Sequence, residues 1–335
     1  MEMLSKVHTK NLVRWAKDKP KAVVLSADLT SSCEADLFRD TYPDRFFSMG
    51  IAEQNMMSFA AGLAREGFMP LVHTFAVFIY RRAYDQLAMS VAYANANVKM
   101  FGFLPGILTP GGATHQAIDD IALMRSLPNM TVLEVGDATE VESVLDVMAA
   151  VDGPVYIRML RGELPRLFPA SEPMKLDHPR VLSSGRDLTL VTSGVCTEEA
   201  LRAVTVLKAR GLAIQHLHLS TLKPCHSPLV REALETPKYG VLSLENHLAT
   251  GGLGSILAEK IADEGLGTKL TRLGLQDTFA HGASKPYLMR EYGLDALALT
   301  SAVERMVDQP LDIREEELSA VRIDAVHSEH KAEAL

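Results

Sequence analysis

The sequence lacks several features that would indicate a secreted, membrane-bound or nucleic-acid-binding protein. Its only three cysteines, Cys33, Cys196 and Cys225, are far apart and form neither a disulfide framework nor a metal-ligand pattern. It has no apolar run long enough to span a bilayer, and the N-terminal segment lacks an apolar signal-peptide core. It also has no basic block, and 42 acidic residues outnumber 34 basic ones. These shortages argue against nucleic acid or a membrane as partner and favour a reducing cytoplasm.

What is present is the pattern of an α/β protein. A short continuous apolar run at 22–27, next to Lys-Pro-Lys, predicts a parallel strand that is buried on both faces, and further strands are predicted at 98–103 and 155–160. Between these runs, apolar residues at helical spacing predict helices, among them 52–65 and 80–94. We therefore expect two α/β domains with mostly parallel sheets.

Changes in composition along the chain predict where these domains begin and end. Residues 166–186 are rich in Pro, Ser and charge and are interpreted as a linker. The first domain is then 1–165 and the second 187–312. The charged tail 313–335 is expected to fray.

One segment combines a strand, a glycine and an acidic residue at the start of a helix. It reads RFFSMGIAEQNM over 45–56, with Gly50 after the strand and Glu53 in the first helical turn. A glutamate there often serves only the helix dipole. However, Glu53 is also expected at the carboxyl edge of a parallel sheet, where α/β folds build their sites.

The same segment, extended to RFFSMGIAEQNMMSFAAGLA, resembles the transketolase family. The resemblance continues through VVLSADLTSS, TFAVFIYRRAYDQL, GGATHQAIDDIALMRSLPNM, GPVYIRMLRGELP, ENHLATGGLGS and DTFAHGASKPYLMREYGL, and so covers nearly the whole chain. It implies that 1–165 is a pyrimidine-binding domain and 187–312 a transketolase C-terminal domain. The resemblance also implies that the chain is the small chain of a split, thiamine-diphosphate-dependent transketolase.

The resemblance implies a cofactor site in the first domain. Glu53 would hydrogen-bond the pyrimidine ring of thiamine diphosphate and activate the cofactor. Phe75 and Phe78 would form the aromatic wall against that ring, and Asp28 would lie near the cofactor at a subunit contact. From helical spacing alone, Arg82 and Asp85 are expected to form an internal ion pair.

A substrate channel is implied by the same motifs. His115 would line the channel and act on sugar hydroxyls, and Arg161 would grip a substrate phosphate, since a guanidinium binds phosphate through two hydrogen bonds. Arg158 is a weaker candidate for phosphate binding. Ser32 would lie at the phosphate end of the channel.

The sequence lacks the Gly-Asp-Gly motif that holds Mg²⁺ and the diphosphate in this family. The nearest match, Gly136-Asp137-Ala138, precedes a helix without the companion asparagine spacing. The Mg²⁺ ligands are therefore expected from a large partner chain in an α₂β₂ assembly that acts on sugar phosphates, and none from this chain.

The substrate loop departs from the family pattern. Residues 102–114 contain no His, Asp or Glu, and the N-terminal arginine of the phosphate site is replaced by Ser5 or Lys6. A modified sugar, such as apulose 4-phosphate or a sulfo-sugar, is one consequence to test.

The sequence leaves three functions open. The first is transfer of a two-carbon ketol unit between sugar phosphates. The second is a decarboxylating reaction, as in deoxyxylulose-phosphate synthase or the β subunit of a 2-oxoacid dehydrogenase, and the third is a non-catalytic regulatory role. The Gly251–Gly254 turn of the second domain is interpreted as close packing rather than as a nucleotide loop.

Overall fold

The computed structural model describes residues 1–235 and 237–329, and three β-sheets organise this part of the chain. Its strands are β1 (Met3–Ser5), β2 (Ala22–Ser26), β3 (Phe46–Ser48), β4 (Met69–Phe75), β5 (Lys99–Phe103), β6 (Thr131–Glu134), β7 (Val155–Met159), β8 (Glu163–Pro165), β9 (Arg180–Ser183), β10 (Leu188–Thr192), β11 (Ile214–His218), β12 (Thr221–Lys223), β13 (Val241–Leu248) and β14 (Leu270–Leu275).

Helices cover the faces of the two larger sheets. They are α1 (Val7–Ala16), α2 (Asp36–Thr41), α3 (Glu53–Arg65), α4 (Ala76–Tyr80), α5 (Tyr84–Gln86), α6 (Asp120–Ser126), α7 (Ala138–Ala149), α8 (Cys196–Ala209), α9 (Pro228–Glu235), α10 (Leu253–Asp263), α11 (Lys285–Glu291), α12 (Ala296–Val307) and α13 (Glu315–Ala320). Short 3₁₀ turns lie at Ser31–Cys33 and Pro43–Arg45, and a π-helix at Leu87–Ala92.

The single helix predicted at 80–94 is wrong. Ala83 leaves the helical conformation, with φ −119° and ψ 20°, and separates α4 from α5. The chain then widens into the π-helix. The apolar periodicity survives these breaks because short helical pieces can share one buried face.

The first large sheet has seven strands in the order β12-β6-β7-β5-β4-β2-β3. All neighbours are parallel except β12, which runs antiparallel to β6. Every residue of β2, β5, β6 and β7 is buried, as the continuous apolar run of β2 predicts for that strand. The carboxyl ends of β7, β5, β4, β2 and β3 therefore lie side by side at one edge.

The second large sheet has five strands in the order β14-β13-β10-β11-β9, with β9 antiparallel at one edge. Two strands, β9 and β12, do not follow the predicted domain boundaries. Strand β9 is formed by residues expected in the linker, and β12, which follows β11 in sequence, joins the sheet of the first domain. The two α/β units are therefore joined through backbone hydrogen bonds as well as through the chain.

The fraying predicted for the tail is wrong for its described part. Residues 315–320 form α13, and Leu318 and Ile323 are buried. Further along, Val326 N–H donates to the Leu167 carbonyl and Glu329 N–H to that of Val181. A few apolar residues among the charges thus anchor the tail; residues 330–335 lie outside the described residues.

The Gly251–Gly254 turn is a packing feature, as predicted. The buried carboxylate of Glu245 accepts the backbone N–H groups of Leu253 and Gly254, which begin α10. A Cβ on Gly252 would lie 2.0 Å from Glu245 Oε2. Burial raises the pKa of Glu245 to about 7.

No helix within residues 1–235 and 237–329 is long and apolar enough to cross a membrane.

Candidate active site

The sheet topology collects the candidate residues at one edge. Asp28 follows β2, Glu53 follows β3, Phe75 ends β4, His115 follows β5 and Arg161 follows β7. These five strands are neighbours in the sheet. Because the carboxyl ends of parallel strands face the same way, segments far apart in sequence meet in one region, the usual position for a site in an α/β fold.

Glu53 is the first residue of α3 and is only 3% exposed. Arg82 Nη1 donates to Glu53 Oε1 across 3.0 Å. The expected ion pair between Arg82 and Asp85 is therefore wrong: Asp85 is exposed, and Arg82 points towards Glu53 instead. Helical spacing misled here because the backbone breaks at Ala83, so residues 82 and 85 do not lie on one helix.

An aromatic wall stands beside this carboxylate. The rings of Phe75 and Phe78 stack with centroids 5.9 Å apart and planes 23° from parallel. His115 meets both rings edge-on, at 5.5 Å from Phe78 and 6.4 Å from Phe75. Its Nδ1 lies 2.8 Å from the Thr114 hydroxyl. The structure thus brings together four of the residues that the sequence proposed.

Arg161 reaches the same wall from the other side. Its guanidinium lies 5.8 Å from the Phe75 ring centroid and donates to the Ser32 backbone carbonyl across 2.8 Å. Lys6 N–H donates to the Gly162 carbonyl, so the N-terminal segment lies next to Arg161. Position 6, where the family arginine was expected, therefore lies near Arg161 in the fold.

Asp28 is exposed and adopts a left-handed backbone, with φ 59°, just beyond the end of β2. Asparagine and aspartate tolerate this conformation better than most residues. Its place at the site edge and its exposure leave its carboxylate available to a partner, and the proposed role near a subunit contact stays a prediction.

Arg158 does not join this cluster, which corrects its place among the candidates. It lies inside β7 with no exposed surface, and its guanidinium pairs with Asp120 and Glu134. It also donates to the carbonyls of Ala117 and Asn246. Although burial disfavours the charged form, the two carboxylates raise the pKa of Arg158 above its ordinary value. Every part of this side chain is committed to internal contacts.

The second domain supports the loop that carries His115. Gln116 Nε2 donates to the His281 carbonyl across 3.1 Å. A Cβ on Gly282 would lie 2.5 Å from the Pro110 carbonyl oxygen. Loop 104–116 of the first domain therefore packs closely against loop 276–284 of the second domain.

The only near match to a diphosphate motif serves another purpose. Asp137 of Gly136-Asp137-Ala138 is buried and caps α7, accepting N–H from Glu140, Leu167 and Phe168. Burial raises its pKa to about 6. Within the described part of the chain, no group of three or more His, Cys, Asp or Glu side chains is arranged to hold a metal ion.

The residues at the sheet edge suit the pyrimidine end of thiamine diphosphate. The ring needs a carboxyl group away from water at one nitrogen and an aromatic face to stack on. Glu53 and the pair Phe75 and Phe78 offer these two contacts, as their burial and ring geometry show.

Sequence reasoning missed two parts of the site. The contact of Arg82 with Glu53 joins residues 29 positions apart, and that of Gln116 with His281 joins residues 165 apart. No local spacing encodes either contact. The only available signal was position within the matched motifs TFAVFIYRRAYDQL and GGATHQAIDD.

Two family models match the chain. "Transketolase, pyrimidine binding domain" covers residues 3–166, and "Transketolase, C-terminal domain" covers residues 177–299.

Two similar proteins are named as transketolase subunits. The 6-deoxy-6-sulfo-D-fructose transketolase subunit SqwH of a Clostridium species is 36% identical, and the match covers 89% of this chain and 92% of that protein. An apulose-4-phosphate transketolase subunit of Actinobacillus succinogenes is 32% identical, over 88% of this chain and 95% of that protein.

A solved structure described as "Split gene transketolase, inactive beta4 tetramer" is 37% identical and superposes with a TM-score of 0.81. The match covers 90% of this chain and 97% of that chain. Together with the two domain models, these similarities show that the chain belongs to the transketolase family and carries its pyrimidine-binding and C-terminal domains.

Proposed function

We propose that the chain is the small subunit of a thiamine-diphosphate-dependent transketolase that transfers a two-carbon ketol unit between sugar phosphates. The observation that carries this proposal is the buried carboxyl group of Glu53 beside the stacked rings of Phe75 and Phe78. A glutamate that only served its helix dipole would not need an aromatic wall and a buried position at the sheet edge.

The residues of this chain would divide the work as follows. Thiamine diphosphate, when bound, supplies the electron sink for breaking a bond beside a carbonyl group. Glu53 would hold a proton at its carboxyl oxygen against the ring nitrogen, and Phe78 would fix the ring plane. His115, at the edge of the wall, would hydrogen-bond substrate hydroxyls, and Arg161 would bind the phosphate.

A large subunit would complete the site. The proposal is supported by the lack of a Gly-Asp-Gly motif in the sequence and by the word subunit in the names of both relatives. Mg²⁺ prefers oxygen ligands in octahedral geometry, and the large subunit would provide them. We propose an α₂β₂ assembly with the site between unlike chains.

Calorimetry tests the two-chain proposal directly. Thiamine diphosphate with Mg²⁺ is titrated into this chain alone and into the chain co-expressed with its large subunit. Tight, metal-dependent binding by the pair only is the expected result. Tight binding by this chain alone would disprove the need for a partner, and no binding by either would indicate a non-catalytic relative.

The substrate is proposed to be a modified sugar phosphate or sulfo-sugar. Loop 104–114 carries no acidic side chain or histidine, and the names of the two relatives refer to apulose 4-phosphate and 6-deoxy-6-sulfofructose. A screen of ketose donors that includes both sugars tests this proposal. Turnover of pyruvate with glyceraldehyde phosphate in the same screen would instead identify a decarboxylating enzyme.

Replacing Arg161 with methionine should weaken the use of phosphorylated substrates. Charged hydrogen bonds contribute about 1.5–3 kcal/mol each, so kcat/KM is expected to fall about 10- to 150-fold. The loss should be much smaller for a donor without phosphate, and Arg161→Lys should recover part of it. Equal losses for phosphorylated and unphosphorylated donors would show that Arg161 does not bind the phosphate.

Replacing Gly282 with alanine should disturb the substrate loop from the second domain. The new Cβ would press on the Pro110 carbonyl, 2.5 Å away, and loop 104–116 would have to shift. Since misplacement by about 1 Å can cost about 100-fold in rate, we expect kcat/KM to fall about 10- to 100-fold.

Affinity for thiamine diphosphate should stay unchanged in Gly282→Ala, because the cofactor wall is on β4 and α4. The matched control is Thr278→Ala, an exposed position in the same loop. Wild-type steady-state kinetics in Gly282→Ala would show that the second domain does not shape the substrate loop.

A further inference from the structure

The guanidinium of Arg82 lies between the two groups that the cofactor ring is proposed to contact. Its Nη1 is 3.0 Å from Glu53 Oε1, and its central carbon is 4.2 Å from the centroid of the Phe78 ring. A planar cation that donates to a carboxylate and stacks on an aromatic face makes the same pair of contacts as a pyrimidine ring bound through its nitrogen.

Arg82 is held loosely enough to leave. Its side chain is 48% exposed, whereas that of Glu53 is 3% exposed. Among the described residues, Glu53 is the only hydrogen-bond acceptor for this guanidinium. The adjacent Arg81 is held more firmly, by the Ala113 carbonyl and by Asp119.

The Glu53 carboxylate is stabilised by such a partner when no cofactor is bound. A carboxylate that is buried without a partner is costly, and an ion pair with a stacked guanidinium offsets that cost. The pairing is lost when the carboxyl group takes a proton or turns to the cofactor. A ring that hydrogen-bonds Glu53 and stacks on Phe78 would compete with Arg82 for both contacts.

We propose that Arg82 is a placeholder for the pyrimidine ring: it pairs with Glu53 and covers Phe78 in the cofactor-free subunit, and swings into solvent when thiamine diphosphate binds. This inference rests on the proposed function. Arg82 is then a positioning residue and not a catalytic residue. It lowers the affinity for the cofactor and supplies the counter-charge of Glu53 when no cofactor is bound.

Cofactor binding to the assembled complex provides the test, without reference to turnover. In Arg82→Gln the competitor is gone and Glu53 is left without its ionic partner in the empty site. Because an ion pair of this exposure contributes up to about 1 kcal/mol, the Kd for thiamine diphosphate with Mg²⁺ should fall by up to about fivefold. Association in stopped flow should be faster by a similar factor.

Three comparisons sharpen the test. Arg82→Lys keeps the charge without the planar group and should fall between wild type and Arg82→Gln. Arg65→Gln, the same change at an exposed position at the end of α3, should leave the Kd unchanged. Arg82→Gln should bring a smaller gain in a Glu53→Gln background, because the ionic part of the contact depends on the carboxylate.

The outcomes separate this inference from the proposed function. If the wild-type complex binds thiamine diphosphate and Arg82→Gln binds it equally or more weakly, the placeholder is disproved and the proposed function stands. If the wild-type complex binds no thiamine diphosphate, the proposed function fails and the placeholder fails with it.

Discussion

Substituting glutamine for Glu53 is expected to lower kcat of the assembled enzyme by about 100- to 10,000-fold, the range for removing a proton-transfer group. Glutamine has nearly the same shape as glutamate and can still accept a hydrogen bond from Arg82. It cannot hold a proton at that oxygen and share it with a ring nitrogen. Initial rates of ketol transfer at saturating cofactor measure the effect.

The loss should come without unfolding, because Glu53 lies at a helix start and its exchange for glutamine leaves the packing of α3 unchanged. Glu66→Gln at the other end of α3 is the matched control, since Glu66 is exposed and far from the aromatic wall. A Glu53→Gln enzyme within threefold of wild type would exclude Glu53 from the chemistry, whatever its position.

The buried parallel strands were the part of the fold that local sequence predicts best. The run Ala22–Ser26 is apolar up to its final serine and is buried throughout, as expected for a parallel strand covered on both faces. Because the candidate residues follow such strands, their meeting at one edge could be inferred from the sequence as well. The residue motifs then assigned chemistry to that edge.

Local patterns failed where tertiary contacts decide the structure. Strand β12 lies in sequence among elements of the second sheet but pairs with β6 of the first sheet. The paired residues Thr221 and Leu133 are 88 positions apart, so no local pattern predicts this pairing. The tail looked like solvated charge, yet Leu318 is buried in the core of the second domain and Ile323 is buried in a cluster with Phe168 and Leu201. Neither outcome leaves a periodic signal in the sequence.

The side chains at the site show the same division. Glu53 and Phe78 lie at the sheet edge, as expected, because their motif fixes their place relative to a strand end. The direction of Arg82 was not, since it depends on a break in the backbone at Ala83 that the apolar spacing does not reveal. Charged side chains with several reachable partners are the hardest to place from sequence.

Arg158 shows how a charge near a site can serve the fold instead. Its guanidinium donates to Asp120 across 2.9 Å and also pairs with Glu134, and none of the three side chains is more than 2% exposed. The Tyr156 hydroxyl donates to Asp120 across 2.6 Å, and burial raises the pKa of this tyrosine well above its ordinary value. The network lies between the two domains, because Arg158 also donates to the Asn246 carbonyl.

Replacing Arg158 with methionine should therefore lower the free energy of unfolding by about 3–5 kcal/mol, because two buried carboxylates lose their counter-charge. Denaturant unfolding of the isolated chain measures the change. The matched control is Arg125→Met, since Arg125 pairs with the exposed Glu259 and its loss should cost less than about 1 kcal/mol.

Neutralising the stranded acids separates structure from substrate binding. In Arg158→Met with Asp120→Asn and Glu134→Gln, no buried charge is left unpaired, so a large part of the lost stability should return. If Arg158 instead bound substrate phosphate, Arg158→Met would fold with wild-type stability and raise KM for phosphorylated donors, as Arg161→Met is expected to do. We expect the two arginines, three residues apart, to differ in kind: Arg161 beyond the end of β7 binds ligands, whereas Arg158 inside β7 holds the two domains together.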